Sequence, residues 1–141
     1  MGREKEHLAI LDYSEYPGPR YDSQGPDSGE KFYVKLLNPS FLRCFREDKD
    51  LIVDLDGTAG YASSFLDEAF GQLTYDFGAD RVKDRVSIQS LDEPEWRSMI
   101  NDETIPQWEK RRNDHQAPKA TMEYTVIHLN ESGLEETRSG L

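Results

Sequence analysis

The sequence predicts an α/β domain in which short strands alternate with helices. Segments of strand length and strand-like composition occur at residues 8–11, 51–55 and 85–89, and the segments between them repeat apolar residues at helical spacing. A chain of 141 residues is long enough to bury one core. Because 35% of the residues are hydrophobic, 32% are charged and the mean hydropathy is -0.82, we expect a modest core with solvated ends. This alternation is typical of an α/β sandwich with a mixed sheet.

The N-terminal third of the chain predicts one strand and two short helices. LAIL at 8–11 is a strand candidate, and the following stretch, rich in Pro, Gly, Ser and Asp, predicts turns. Ser28 is placed to cap a helix, because its hydroxyl can accept from a free backbone N–H. Asn38-Pro39 interrupts that helix and begins a second one, since proline suits the first helical position.

The middle of the chain predicts a central strand, a loop and the longest helix. The strand-like segment 51–55 begins with the continuous apolar run Leu-Ile-Val, which indicates a strand covered on both faces. Residues 57–60, Gly-Thr-Ala-Gly, predict a flexible loop. A helix then begins at Ser63 or Ser64 and ends at Gly78. Its core-facing stripe repeats at helical spacing and comprises Phe65, Leu66, Ala69, Phe70 and Leu73.

The C-terminal part predicts two more strands and a polar tail. Residues 85–89 form a short strand, Pro94 lies just inside a further helix, and 121–129 are rich in β-branched and aromatic residues. The last eleven residues are polar, so we expect them to be disordered. The predicted organisation is a domain over 1–118, an additional strand over 119–130 that pairs at a sheet edge or with a second copy, and a disordered tail over 131–141.

The charge and the cysteine content restrict the classes of function. A formal net charge of -11 and a pI near 4.7 repel nucleic-acid phosphate and anionic lipid, and favour basic partners. Cys44 is the one cysteine and can form no intrachain disulfide. No apolar run reaches the roughly 18 residues that a spanning helix needs, and no signal peptide is recognisable. We therefore expect a cytoplasmic protein that binds neither nucleic acid nor membrane.

The string LIVDLDGT resembles the first motif of haloacid-dehalogenase-like phosphatases. In that family the first carboxylate attacks phosphorus and the second acts as acid and base, with a magnesium ion neutralising the phosphate. On this resemblance Asp54 would be the nucleophile and Asp56 the proton carrier. A magnesium-dependent phosphatase or phosphotransferase is therefore the alternative function.

The other residues that such a phosphatase needs do not follow in a suitable context. Thr74 falls within the long predicted helix rather than at the tip of a strand. About 18 residues separate it from Asp92, too few for consecutive parallel strands that each need a crossover of a dozen or more residues. The favoured interpretation is that Asp54 and Asp56 bond neighbouring backbone N–H groups and support the turn at Gly57.

Three strings together resemble the STAS-like domains of unknown function found in bacteria. They are RYDSQGPDSGEKF, DLDGTAGYASSFLDEAFGQL and VSIQSLDEPEW, and the resemblance covers roughly residues 20–105. These domains are relatives of sulfate-transporter and anti-sigma-factor-antagonist domains. The resemblance implies a STAS-like sandwich, with a mixed sheet of four or five strands and helices packed against it. It also implies a regulatory protein-interaction module rather than an enzyme.

In the anti-sigma antagonists a serine at the start of the second helix is phosphorylated by a partner kinase, which switches binding. The matching positions here are Ser63 and Ser64. A helix N-terminus offers free N–H groups and a positive dipole end to a phosphate. Adding about -1.5 to -2 charges there can make or break an interface. In the alternative interpretation one serine is only the N-cap, which contributes about 1 kcal/mol to the helix.

We therefore predict a non-enzymatic domain that needs no cofactor and binds a protein, by the same resemblance a histidine-kinase-type ATPase. A metal site is not expected, because His7, His115 and His128 are far apart without helical i, i+4 spacing. Self-association through the 121–129 strand is a third possibility. The predicted partner-binding residues are Gly57, Thr58, Gly60, Tyr61, Ser63, Ser64, Asp67 and Glu68.

Overall fold

The computed structural model describes residues 2–130 and 132–141 and confirms the α/β class. The strands in these residues are β1 (Lys5–Ala9), β2 (Asp50–Asp54), β3 (Val86–Gln89), β4 (Tyr124–Leu129) and β5 (Glu135–Gly140). The α-helices are α1 (Ile10–Tyr13), α2 (Gly29–Phe32), α3 (Asn38–Glu47), α4 (Ser63–Phe77), α5 (Ala79–Arg85), α6 (Glu95–Met99) and α7 (Ile105–Asn113).

The strands form two sheets, and this corrects the prediction of one mixed sheet of four or five strands. The first sheet is parallel, with the order β1-β2-β3, and the second is the antiparallel pair β4-β5. The hairpin does not join the parallel sheet because it packs on the helices instead: β4 contacts α3 and α4, and α3 also contacts β2. The carboxyl ends of β1, β2 and β3 lie side by side, at an edge that we call the C-terminal edge.

The tail predicted to be disordered over 131–141 contains β5, which is a correction. Glu131 lies outside the described residues, but Glu135–Gly140 pairs with β4 along the whole strand. The reason is Arg138, which is largely buried and donates from Nε to the buried carboxylate of Asp76 at 2.7 Å. One buried partner 62 residues away holds a strand whose composition alone predicts disorder.

The parallel sheet is covered by helices on one face, so the prediction that β2 is covered on both faces is wrong. Leu51 and Val53 are buried, whereas Ile52 between them is half-buried. The residues beside Ile52 on the neighbouring strands are His7 and Ser87, and both are exposed. Because side chains alternate along a strand, this whole row faces away from the helices, and its polar members suit solvent.

The first strand begins earlier than the sequence predicts. LAIL at 8–11 was the strand candidate, but β1 covers Lys5–Ala9, and Ile10–Tyr13 forms a short helix with Ile10 buried. Pairing with β2 in register, Lys5 beside Asp50, determines where β1 lies. An apolar run alone cannot distinguish a strand from a short buried helix.

The helix boundaries follow local signals in the sequence. Ser28 caps α2 by accepting from the N–H of Lys31 at 3.0 Å. Turns of π-helix over Tyr33–Leu37 and Ile100–Thr104 each lead into a helix with proline near its start. Proline lacks an N–H group and crowds the preceding turn, and a wider turn relieves both effects. Gly78, with φ +90°, ends α4 as predicted.

Candidate functional site

The C-terminal edge carries the loop that joins β2 to α4, and two aspartates connect this loop to its neighbours. Asp54 Oδ1 accepts from the N–H of Asp56 at 2.8 Å. The two carboxylate oxygens of Asp56 accept from the N–H groups of Asp92, at 2.9 Å, and Leu91, at 3.0 Å. These two bonds lower the pKa of Asp56, that from Asp92 most. Both aspartates thus organise backbone, as the favoured interpretation expects.

The loop itself is fixed from both sides by hydrogen bonds that its backbone N–H groups donate. The N–H of Gly57 donates to Asp92 Oδ2 at 3.2 Å, and the N–H of Ala59 donates to the carbonyl of Glu15 at 2.8 Å. Gly57 has φ +89°, and a Cβ placed on it would lie 3.1 Å from Leu11 Cδ2. The segments that follow β1 and β3 therefore flank the loop and give it a defined shape.

Tyr61, a predicted partner-binding residue, is largely a packing residue. Its hydroxyl donates to the carbonyl of Leu55 at 2.7 Å, and burial raises its pKa to about 12. The ring lies edge-on to Trp96 with centroids 6.3 Å apart, and lies 5.9 Å from the ring of Phe65. Gly57 is exposed, and Thr58 and Gly60 are half-buried, so these three residues stay available to a partner.

Neither candidate serine caps the helix, so the interpretation of Ser63 or Ser64 as the N-cap is wrong. The N-cap residue is Ala62, which has no side-chain acceptor, and the serines are the first two helical residues. Ser63 is exposed and Ser64 is half-buried. Within the described residues, neither hydroxyl has a hydrogen-bond partner, and the first N–H groups of α4 have no side-chain cap.

Asp67 and Glu68 both contact Arg20, and only Asp67 remains accessible. Asp67 Oδ2 accepts from Arg20 Nη1 at 2.7 Å and from Trp108 Nε1 at 3.3 Å. Glu68 is 1% exposed and accepts from Gln72 Nε2 at 2.7 Å. Burial raises the pKa of Glu68. The prediction that Glu68 contacts a partner is therefore wrong, because it lies on the buried face of α4.

A second buried carboxylate, Glu30, was missed as an organising residue. Its side chain is fully buried and accepts from the N–H of Asp22 at 2.9 Å and from the N–H of Thr121 at 2.7 Å. It thus connects the start of α2 to the segment that leads into β4. The Gly-Glu pair at 29–30 was the available signal, but its partners are up to 91 residues away.

Three exposed apolar side chains beside the loop were also missed. Leu11, Tyr16 and Leu91 are 41%, 69% and 80% exposed. Leu11 ends the apolar run at 8–11, which predicts burial, and Leu91 is an isolated apolar residue in a polar segment, which is a weak signal. Leu11 and Leu91 lie at the same edge because the register of the parallel sheet places the ends of β1 and β3 there, and a single sequence does not display that register.

The fold and the site define an α/β domain whose accessible loops gather where parallel strands end, the usual position of binding residues in such sheets. Residues 28–96 match the family model of a STAS-like domain of unknown function, which confirms the resemblance seen in the sequence. The matched segment contains β2, the loop, α4 and β3. Neither a curated protein nor a solved structure matches the chain. Among the described residues, no helix is both long enough and apolar enough to cross a membrane.

Proposed function

We propose that the protein is a non-enzymatic regulatory domain that binds a partner protein through residues 57–64 and the start of α4. Phosphorylation of Ser63 switches this binding. STAS-like domains are generally protein-interaction domains, which supports the class of function. The observation that carries the proposal is that Ser63 is exposed at the first position of α4 while its hydroxyl makes no hydrogen bond to any of the described residues.

The electrostatic surroundings of Ser63 are compatible with a phosphate. Helix α4 has 15 residues, and its first N–H groups have no side-chain cap. The carboxylate of Asp67, one turn into the helix, forms an ion pair with Arg20 at 2.7 Å, which reduces its repulsion of an incoming anion. Ser64 is half-buried and therefore less accessible to a kinase than Ser63.

The use of the aspartates supports binding rather than phosphatase chemistry. Both oxygens of Asp56 accept backbone hydrogen bonds that connect two loops. One oxygen of Asp54 is likewise used within its own turn. By the family resemblance, the proposed partner is a histidine-kinase-type ATPase that also phosphorylates Ser63.

The test is affinity capture from native lysate with the wild type, Ser63→Asp and a control variant, Ser139→Asp, followed by quantitative mass spectrometry. Ser139 is an exposed serine on β5, in the antiparallel sheet rather than at the C-terminal edge of the parallel one. We expect one captured protein to be retained at least tenfold differently by the wild type and by Ser63→Asp, which corresponds to about 1.4 kcal/mol of binding free energy. The Ser139→Asp variant should retain that protein as the wild type does. Equal retention by all three forms would refute the switch.

The captured protein provides a second test. Incubated with ATP and the wild-type chain, it is expected to add phosphate at Ser63, and peptide mass spectrometry locates the modified residue. Phosphate found only at residues outside 57–64 would contradict the proposal.

A further inference from the structure

The C-terminal edge carries three of the five large apolar side chains that the described residues expose, namely Leu11, Tyr16 and Leu91. All three adjoin one loop. Leu11 lies against Gly57, and the N–H of Leu91 donates to Asp56 at 3.0 Å. Glu15 precedes Tyr16, and its backbone carbonyl accepts from the N–H of Ala59 at 2.8 Å. The three apolar side chains therefore surround residues 56–59 rather than being scattered over the surface.

Exposed carboxylates lie within four residues of these apolar side chains along the chain. They are Asp12, Glu15, Asp92, Glu93 and Glu95. Among the described residues, none of these carboxylates lies within 4.0 Å of a lysine, arginine or histidine nitrogen. We call Leu11, Tyr16 and Leu91, together with these five carboxylates, the acidic apolar surface.

At the opposite edge of the same sheet, where the strands begin, three carboxylates are paired with arginines. Arg3 lies 2.8 Å from Asp50 and 2.9 Å from Asp84, and Arg85 lies 2.9 Å from Asp48. Both edges carry several carboxylates, but the five at the C-terminal edge form no ion pair among the described residues, although Arg97 is an exposed cation two residues after Glu95. The unmatched charge thus coincides with the exposed apolar side chains.

We propose that the acidic apolar surface binds a basic amphipathic segment of the partner protein, in which apolar residues alternate with lysine or arginine. This rests on the proposed function and specifies the chemistry of the partner. Apolar side chains of the segment would cover Leu11, Tyr16 and Leu91, and its cations would meet the surrounding carboxylates. A second copy of the chain fits poorly, because a chain of net charge -11 would place five carboxylates against five.

The inference fixes the direction of the Ser63 switch. A phosphate at the start of α4 adds negative charge next to the loop that the apolar side chains surround. A basic segment is attracted by that charge, so Ser63→Asp should strengthen its binding.

Site-specific photocrosslinking on the full chain tests the inference. Benzoylphenylalanine replaces Tyr16 or Leu91 and, as a control, Leu134, which is 66% exposed but lies beside β5. After irradiation in native lysate, mass spectrometry identifies the crosslinked peptide. We expect the Tyr16 and Leu91 probes, but not the Leu134 probe, to label a segment of net positive charge that contains apolar residues.

Charge reversal provides the matched comparison. Glu93→Lys/Glu95→Lys should lower the crosslinking yield at least tenfold, whereas Glu4→Lys/Glu123→Lys, which reverses two exposed carboxylates elsewhere, should leave it unchanged. Circular dichroism of both variants verifies that they fold. Equal yields from the two folded variants would overturn the inference.

The outcomes separate this inference from the proposed function. A neutral or acidic crosslinked segment, a peptide of the chain itself, or weaker binding by Ser63→Asp would overturn the inference and leave a Ser63-dependent interaction in place. If the Tyr16 and Leu91 probes gave no crosslinks while Ser63-dependent capture persisted, the inference would likewise be overturned and the proposed function would stand. Loss of any Ser63 dependence in capture would instead refute the proposed function.

Discussion

The two ends of helix α4 differ in how their polar side chains are used. Near its C-terminal end, Asp76 is fully buried and its carboxylate accepts from Arg138 Nε at 2.7 Å and Nη2 at 2.9 Å, and from the hydroxyl of Tyr33. At its start, the hydroxyls of Ser63 and Ser64 have no partner within the described residues. One helix thus combines an end that stabilises the fold with a start that remains accessible.

The buried end contributes stability only as long as its charges are paired. Burial by itself lowers the pKa of Arg138, but the hydrogen bonds and charge of Asp76 outweigh this effect and raise the pKa. Burial also raises the pKa of Tyr33. Since each charge compensates the other, removal of one partner leaves the second charge buried and unpaired. Ser63, exposed at the start of α4, carries no such penalty, so we expect its substitution to be tolerated.

The largest expected effect is at the buried end. Asp76→Ala leaves Arg138 buried without its partner and should lower the free energy of unfolding by about 3–5 kcal/mol, measured by urea denaturation. The control is Glu135→Ala, because Glu135 pairs with Arg46 at an exposed position on the same hairpin, and little change is expected there. If both variants lost the same amount, the buried pair would not be what holds the hairpin.

A smaller effect is expected in the middle of α4. A Cβ on Gly71 would overlap the ring of Trp108 on α7, so Gly71→Ala should cost about 1–3 kcal/mol of unfolding free energy. Trp108→Leu in the same chain should relieve the overlap, so that the double variant loses less than the sum of the two single losses. Strict additivity would show that the two helices do not meet there.

The pH dependence of stability should report the burial of Glu68. Burial raises the pKa of Glu68 above its ordinary value of 4.5. Its contribution is fully present below the unfolded pKa and is lost as pH rises through the raised folded pKa. The unfolding free energy of the wild type, relative to Glu68→Gln, should therefore fall as pH increases from 4.5 toward neutrality. A difference that rises over this interval would contradict the assignment.

The smallest expected effect is at the start of α4. Ser63→Ala should change the unfolding free energy by less than about 0.5 kcal/mol, because its hydroxyl caps nothing. Ser28→Ala is the matched contrast, since Ser28 caps α2 by accepting from Lys31, and should cost about 1 kcal/mol. A loss at Ser63 as large as that at Ser28 would reinstate a capping role.

Local patterns predicted the elements that depend on nearby residues. The strand at 51–55, the helix from Ser63 and its end at Gly78 follow from apolar spacing and from the conformational freedom of glycine. The loop at 57–60 was also predicted, because glycine clusters rarely continue a helix or a strand. These features depend on contacts within a few residues, which the sequence displays directly.

The features that the sequence did not predict depend on distant partners. In the sequence Arg138 is a charged residue in a polar tail, and nothing near it indicates that it pairs with Asp76, 62 residues earlier. The burial of Glu68 depends on Arg20, 48 residues earlier. The grouping of Leu11 and Leu91 depends on the register of β1 and β3 against β2. Such long-range pairings carry no signal in a single sequence.

Amide hydrogen exchange of the protein, alone and with the captured partner, tests the central claim most directly. Slower exchange is expected in residues 55–64 and 91–96, where the loop, the start of α4 and the segment after β3 would be covered. Exchange in the hairpin that contains β4 and β5 should remain unchanged. Protection confined to that hairpin, or to the edge where the strands begin, would contradict the assignment of the C-terminal edge as the binding surface.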